Sequence, residues 1–370
     1  MEKLVELRKF WKGRRVLITG HTGFKGSWLT LMLIELGAEV YGLSNDENVE
    51  RINWLAIKNK LPSDNYKLID VCDYSSVKKF LEQINPNFIF HLAGQPLVSA
   101  AFMNPIDTIK TNVIGSSNIL ELFRLSSSIE SCIIVTSDKV YSESNTTSHN
   151  ETSNLGGSEV YSASKASVEV ITSAYSIAFQ KFFSEKNRGL ASARAGNVIG
   201  GGDWSENRLV PDLFKSILGG NPLNIRNMNH IRPWQYIFDV LYGYILLGYN
   251  LSLLPNNFGG AWNFSNPIAE LQVGSLVKKF EENLRIKHSV KSEVIYNSNN
   301  ISSFYETKTL MLDSSKASTN LGWKSLFSVD EIVNETSNWY MSYAKNIDNP
   351  EFVYFNNLLL IQKFFGKINE

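Results

Sequence analysis

Tyr161 and Lys165 put a phenol and an ammonium four residues apart, on one face of a helix. An ammonium near a phenol favours the ionised form and lowers its pKa from about 10 toward the working pH. Such a tyrosine can take the proton of a substrate hydroxyl as hydride leaves for a nicotinamide. Upstream, Thr136-Ser137-Asp138-Lys139 sets hydroxyl, carboxyl and amine side by side. A third group, Gly20-x-x-Gly23-x-x-Gly26, supplies glycines that let backbone approach a pyrophosphate at a helix N-terminus. Its spacing is not GxGxxG, and no Gly-Lys-Ser/Thr triplet follows, which excludes a phosphate loop of the P-loop type. Asp46 lies twenty residues after Gly26, where an acid bonding a ribose 2′-hydroxyl is expected, with Ser44 and Asn45 as alternatives. No Arg follows that strand directly, which tilts the choice from NADP toward NAD.

Each pattern needs the right elements around it. Arg15–Thr19 reads as a strand, 20–26 as a tight turn, and the next segment as a helix with Trp28, Leu29, Met32, Leu33 and Leu36 on one side, ended by Gly37. Strands are expected at 38–43, 88–92, 132–135 and 189–193, alternating with amphipathic helices. That alternation predicts an α/β fold with a Rossmann-type, doubly wound parallel sheet. It places Thr136-Ser-Asp-Lys139 at the C-terminal end of a strand, where ligands bind in such sheets. After Arg194 the texture becomes less regular, which predicts a smaller mixed C-terminal lobe. The expected division is 1–196 for dinucleotide binding, 197–345 for a substrate lobe that can interleave with Rossmann elements, and 346–370 for a tail. Ser328-Val-Asp-Glu331 is a capping box that opens a helix running to about Lys345. The apolar tail 352–365 suits internal packing and a subunit contact equally.

The chain has 370 residues, 43% of them apolar and 19% charged, so it can bury a full core and is not a disordered chain. Lys+Arg 36 against Asp+Glu 36 gives no net charge, which argues against nucleic acid or an anionic bilayer as partner. The five histidines show no metal-ligand spacing, and Cys72 and Cys132 are too few for a disulfide framework or a zinc knuckle. Both cysteines are expected as buried thiols, and no metal is expected. Without a signal-like start or an 18-residue apolar run, a cytoplasmic, soluble protein is expected.

Gly20-His-Thr-Gly-Phe-Lys-Gly-Ser-Trp28, His91-Leu-Ala-Gly-Gln-Pro-Leu-Val98, Thr136-Ser-Asp-Lys139, Tyr161-Ser-Ala-Ser-Lys165, the segment Arg194-Ala-Gly-Asn-Val-Ile-Gly-Gly-Gly-Asp-Trp204 and Ile231-Arg-Pro-Trp-Gln235 carry a resemblance. With Asp313-Ser-Ser-Lys-Ala317 and Leu321-Gly-Trp323, it runs from about Phe10 to Tyr343. The sequence resembles the extended short-chain dehydrogenase/reductase (NAD-dependent epimerase/dehydratase) family, and within it the branch that dehydrates CDP-glucose. Any one motif is shared by many sugar-nucleotide enzymes, whereas Ser-Asp-Lys together with the 194–204 segment is narrow.

The resemblance implies dehydration of CDP-glucose to a CDP-4-keto-6-deoxy sugar, with NAD recycled inside one site, for a deoxy sugar of a surface polysaccharide. Tyr161 would take the C4 hydroxyl proton, Lys165 would hold the phenolate and the nicotinamide ribose, and Ser137 would bond the C4 oxygen. Asp138 would be the acid at C6 and Lys139 the base at C5. Related dehydratases for dTDP-glucose or GDP-mannose carry Glu where Lys139 stands, and an amine base must first shed its proton. Lowering a lysine from about 10.4 to about 7.5 costs about 4 kcal/mol. A cation such as Lys165 about 6 Å away supplies about 2.8 kcal/mol at an effective dielectric near 20, and desolvation adds to it.

The same resemblance assigns the cofactor to Gly20, Gly23, Phe24, Lys25, Gly26, Asp46, Asp70, Val71, Ala93, Tyr161 and Lys165, and the substrate to Gln95, Asn197, Arg208, Arg226 and Arg232. Guanidinium forks match phosphate oxygens, although a surface arginine is the plainer reading of each. Trp204 and Trp234 suit base stacking or a core equally. Ser99 replaces the family's Arg, and Glu159-Val160 its Asp-Pro, which bears on substrate identity. Homo-oligomers, dimers or tetramers, are expected. The competing readings are another sugar-nucleotide dehydratase, a 4-epimerase, which has no use for an acid beside a base, and a non-catalytic dinucleotide sensor.

Overall fold

The computed structural model describes residues 2–46, 52–142, 148–225, 227–266, 270–291, 294–296, 310–347 and 349–368. Arg226 and residues 143–147 of the loop 142–154 lie outside the described residues. The strands are β1 (Arg15–Thr19), β2 (Glu39–Ser44), β3 (Tyr66–Leu68), β4 (Phe88–His91), β5 (Ser131–Val135), β6 (Gly189–Ala195), β7 (Asn197–Ile199), β8 (Leu223–Ile225), β9 (Ile231–Tyr236), β10 (Gly260–Phe264), β11 (Glu270–Gln272) and β12 (Val294–Tyr296). Seven of them form one sheet in the order β10-β6-β5-β4-β1-β2-β3, every pair of neighbours parallel. The order reverses beside β1, and the crevice at the C-terminal ends there is the binding place of a doubly wound sheet.

Alternation along the strands explains why the sheet is covered on both faces. Val16 and Ile18 point into a core shared with the helices Phe24–Glu35 and Ile237–Leu253, while Leu17 points into one shared with Tyr74–Ile84, Gly115–Leu125 and Val160–Ala178. The helix Ile237–Leu253 is buried nearly throughout and packs on β5 and β6. It and β10 fall within the span expected for the second lobe, yet both build the large sheet layer.

The rest of that span forms a mixed three-stranded sheet, β11-β9-β7, and a parallel pair, β12-β8. The capping box at Ser328 and Glu331 is present at the start of the helix Val329–Ala344. The tail is helical, Pro350–Ile368, and packs against the helix Ile52–Lys58 with Val353, Ile361, Phe364 and Phe365 buried. Among the described residues no helix is long and apolar enough to cross a membrane. Cys132 is buried, but Cys72 is only half-buried, because it leaves the sheet layer after β3 and donates its thiol proton to the Lys110 carbonyl.

Candidate active site

A cavity of about 840 Å³ opens where β1, β4, β5 and β6 end. On the β1 side, Gly20 has φ +71°, and a Cβ there would lie 2.8 Å from the Ala93 nitrogen. Gly26 lies so close under the turn that a Cβ would come within 2.1 Å of the Gly20 carbonyl oxygen, which brings helix and strand together. No side chain caps the helix at Gly23, so its first N–H groups are left for a ligand, and Gly23, Phe24, Lys25 and Gly26 line the cavity. This turn fits a dinucleotide diphosphate. Burial pushes Lys25 down to about 8, helped by the Arg208 charge.

Ser44, Asn45, Val71 and Ala93 also line the cavity, whereas Asp46 and Asp70 do not. The Asp46 backbone carbonyl accepts the Thr22 hydroxyl at 2.9 Å, and the Asp70 carboxylate accepts the Cys72 N–H at 2.8 Å. His91 at the end of β4 bridges Thr19 (2.7 Å) and Ser116 (2.9 Å), and burial drives its pKa down to about 3. It is a neutral strut that aims the Thr19 hydroxyl, which accepts the Ala93 N–H at 3.1 Å.

The strand end after β5 carries Ser137, Asp138 and Lys139, and all three line the cavity with Tyr161 and Lys165. Ser137 Oγ donates to Asp138 Oδ1 at 2.8 Å, and its hydroxyl accepts the Lys139 N–H at 3.2 Å. Asp138 is buried, Oδ2 has no hydrogen-bond partner among the described residues, and burial raises its pKa, which favours the protonated acid.

The Tyr/Lys helix starts on Glu159, whose carboxylate accepts the N–H groups of Tyr161 (2.6 Å) and Ser162 (2.9 Å). Glu159 thus caps the helix. The expectation of a lowered Tyr161 pKa is corrected. Burial pushes the phenol up to about 12, against a hydrogen bond with Ser137, and pulls Lys165 down to about 8. Desolvation outweighs the Ser137 hydrogen bond and the Arg208 charge at the phenol, and the Glu169 charge at the ammonium.

From the other side, Gln95, Ser99, Asn197, Arg208, Arg232, Trp204 and Trp234 line the same cavity. Arg208 pairs with Asp203 at 3.3 Å, and Arg232 is buried with one nitrogen 3.2 Å from His230 Nδ1. Trp234 is both buried and at the cavity, its N–H donating to the Leu271 carbonyl, while Trp204 packs on Tyr340 and Tyr343.

Asn112 escaped the sequence reading. It lies fully buried in a π-helical stretch, Lys110–Ile114, accepts the Gln95 N–H at 2.8 Å and donates to Ser164 Oγ at 2.8 Å, tying the loop after β4 to the Tyr/Lys helix. A π-turn inside a helix has no short sequence signature, although such turns gather at functional sites.

A family model described as GDP-mannose 4,6 dehydratase matches residues 17–336. The chain belongs to this family. The family is one of sugar-nucleotide 4,6-dehydratases, which places the chain among enzymes. A CDP-glucose 4,6-dehydratase of Salmonella typhimurium is 33% identical over 345 residues, covering 92% of this chain and 94% of that one. The resemblance read from the sequence, to extended short-chain dehydrogenases and their CDP-glucose branch, holds at that level.

Among solved structures, an epimerase from Methanothermobacter thermautotrophicus shares the fold with a TM-score of 0.77 at 21% identity, covering 98% of both chains. The dTDP-glucose 4,6-dehydratase DesIV of Streptomyces venezuelae, with NAD and TYD bound, gives 0.74 at 20% identity over 90% of this chain and 99% of that one.

Proposed function

We propose that the chain is a lyase that removes water from CDP-glucose with NAD as a recycled hydride carrier, giving CDP-4-keto-6-deoxyglucose. One observation carries this reading. Asp138, buried and raised in pKa, stands next to Lys139 in the cavity that also holds Tyr161 and Lys165. An epimerase needs the tyrosine and lysine but has no use for an acid beside a base. The relative with 33% identity supports the choice of nucleotide.

NAD would lie on Gly20, Gly23, Phe24, Lys25 and Gly26, with Val71 and Ala93 beside it, and would supply the hydride acceptor that later returns the hydride to C6. Tyr161 takes the proton of the C4 hydroxyl while Ser137 bonds that oxygen and Lys165 steadies the phenolate. Tyr161, which burial holds up at about 12, would ionise more readily beside the positive charge that a nicotinamide would supply. With C4 a ketone, the C5 hydrogen is acidic. Lys139 removes it, Asp138 protonates the C6 hydroxyl, the C6–O bond breaks and water leaves. After hydride reaches C6, a proton returns to C5.

Arg208, Arg232, Asn197 and Gln95 would hold the diphosphate and sugar. Residues 1–196, with 237–264 interleaved, would form the dinucleotide unit, and the remainder up to 345 the substrate lobe. A homo-oligomer is supported by exposed Phe102, Met103 and Ile106 next to exposed Val170 and Ile177 on the Tyr/Lys helix.

The test is incubation with NAD and, separately, CDP-, dTDP-, UDP- and GDP-linked hexoses, followed by mass spectrometry. Loss of one water from CDP-glucose alone is expected. Loss from another nucleotide would overturn the substrate, and no loss from any would overturn the reaction.

A further inference from the structure

Glu169 lies one turn beyond Lys165, so Tyr161, Lys165 and Glu169 follow one another along one face of the helix Val160–Ala178. Its side chain is only 3% exposed, and the mechanism above gives it nothing to do. The carboxylate is nonetheless fully engaged. One oxygen accepts the Thr136 hydroxyl, and the other accepts Ser192 Oγ and Arg194 Nη2, both at 2.7 Å. Thr136 is the first residue past β5 and immediately precedes Ser137. Ser192 and Arg194 belong to β6, and Arg194 reaches on to the Tyr141 phenol oxygen at 2.7 Å.

If packing were the only need, an apolar cluster would serve as well, because a buried ion pair is weak evidence of stability. A carboxylate adds two things that an apolar group cannot, a fixed acceptor for the Thr136 hydroxyl and a negative charge near Lys165.

We propose that Glu169 is the positioning residue of this site, locking the strand end that carries Ser137, Asp138 and Lys139 against the helix that carries Tyr161 and Lys165, and holding the proton on Lys165. The proposal rests on the functional reading above. Charged and titratable groups act on Lys165 from three elements, Glu169 on its own helix, Lys25 after β1 and His91 at the end of β4, while its Nζ donates to the Val135 carbonyl at 3.4 Å. His91 is neutral and Lys25 is repulsive, which leaves Glu169 as the group that opposes the pull of burial on Lys165.

Lys165 works protonated, so the first step slows as pH rises through its pKa. Removing the Glu169 charge moves that fall to lower pH. The experiment measures, with full-length protein, NAD and CDP-glucose, the burst of nicotinamide reduction and the rate of water loss against pH. The variants are Glu169→Gln, Thr136→Val and Thr136→Ser.

For Glu169→Gln the alkaline limb is expected to drop by about 1 pH unit. Thr136→Val keeps the ion pair with Arg194 and should lower kcat about tenfold, with KM within about twofold and the limb unmoved, while Thr136→Ser restores kcat. If Glu169→Gln does not fold by circular dichroism, the Thr136 pair decides. A folded Glu169→Gln protein with the wild-type pH profile, or a Thr136→Val protein that loses thermal stability but keeps kcat, overturns the positioning role alone. Absence of water loss by the wild-type protein overturns the functional reading, and this one with it.

Discussion

On the β1 side of the cavity the ligand-facing groups are neighbours in sequence: Gly20, Gly23, Phe24, Lys25 and Gly26 occupy one turn and the start of one helix. On the opposite side, Asn197, Arg208, Arg232 and Trp234 arrive from β7, from the segment before the helix Leu209–Gly219 and from β9. Backbone recognition by a turn is local and tolerates little change. Side-chain recognition by an arginine fork depends on a scaffold assembled from distant pieces. On the proposed function, the first side, with the strand end after β5 and the Tyr/Lys helix, would carry reaction chemistry, and the second would carry substrate identity.

Substitutions can break or sharpen that contrast. Tyr161→Phe removes the proton acceptor for the C4 hydroxyl, and water loss is expected to fall by about 10³-fold or more with no burst of nicotinamide reduction in stopped flow. A normal burst would remove Tyr161 from the mechanism. Lys139→Ala separates the two halves of the reaction. Water loss should fall about 10²-fold or more, while nicotinamide is still reduced and accumulates, as its absorbance will show. Turnover at the wild-type rate would mean that Lys139 is not the base.

On the far side, Arg208→Gln should raise KM for CDP-glucose about tenfold, with kcat within a few-fold, if its guanidinium serves binding rather than chemistry. A collapse of kcat at unchanged KM would dissolve the contrast between the two sides. The smallest effect concerns stability. Asp239 is pushed up to about 6 by burial, against hydrogen bonds from Ser325 and Leu326. A carboxyl whose folded pKa lies above its ordinary value costs stability as pH rises from about 4 through 6, here on the order of 2 to 3 kcal/mol. Asp239→Asn should flatten the denaturation midpoint over that window, and an unchanged slope would mean that another group sets it.

The same contrast explains what the sequence made legible. β1, the glycine turn and the Tyr/Lys helix announce themselves through short patterns, and the sheet follows from strand and helix alternation. The capping box at Ser328 could be read for the same reason. The tail could not. Its Asn357 is fully buried, accepts the Trp339 indole N–H at 2.7 Å and donates to Asn53 Oδ1 at 3.0 Å, and Asn53 in turn donates to the Gly201 carbonyl beside the cavity.

Those pairs lie 18, 304 and 148 positions apart, and no period or spacing marks them. Nor could the order of pKa effects be read from the i, i+4 spacing of Tyr161 and Lys165. Desolvation depends on the closed surroundings, and it reversed the expected direction for the phenol.

The central claim is that an acid and a base at Asp138 and Lys139 turn a C4 oxidation into an elimination. The most direct measurement is to run CDP-glucose and NAD with the protein in heavy water and to analyse the sugar nucleotide by mass spectrometry and proton NMR. The account predicts a product that has lost water and carries deuterium at C5 and none at C6, because C5 is reprotonated from solvent-exchanged groups while C6 receives the stored hydride. A sugar nucleotide of unchanged composition inverted at C4, or a dehydrated product whose C5 keeps its original hydrogen, would contradict it.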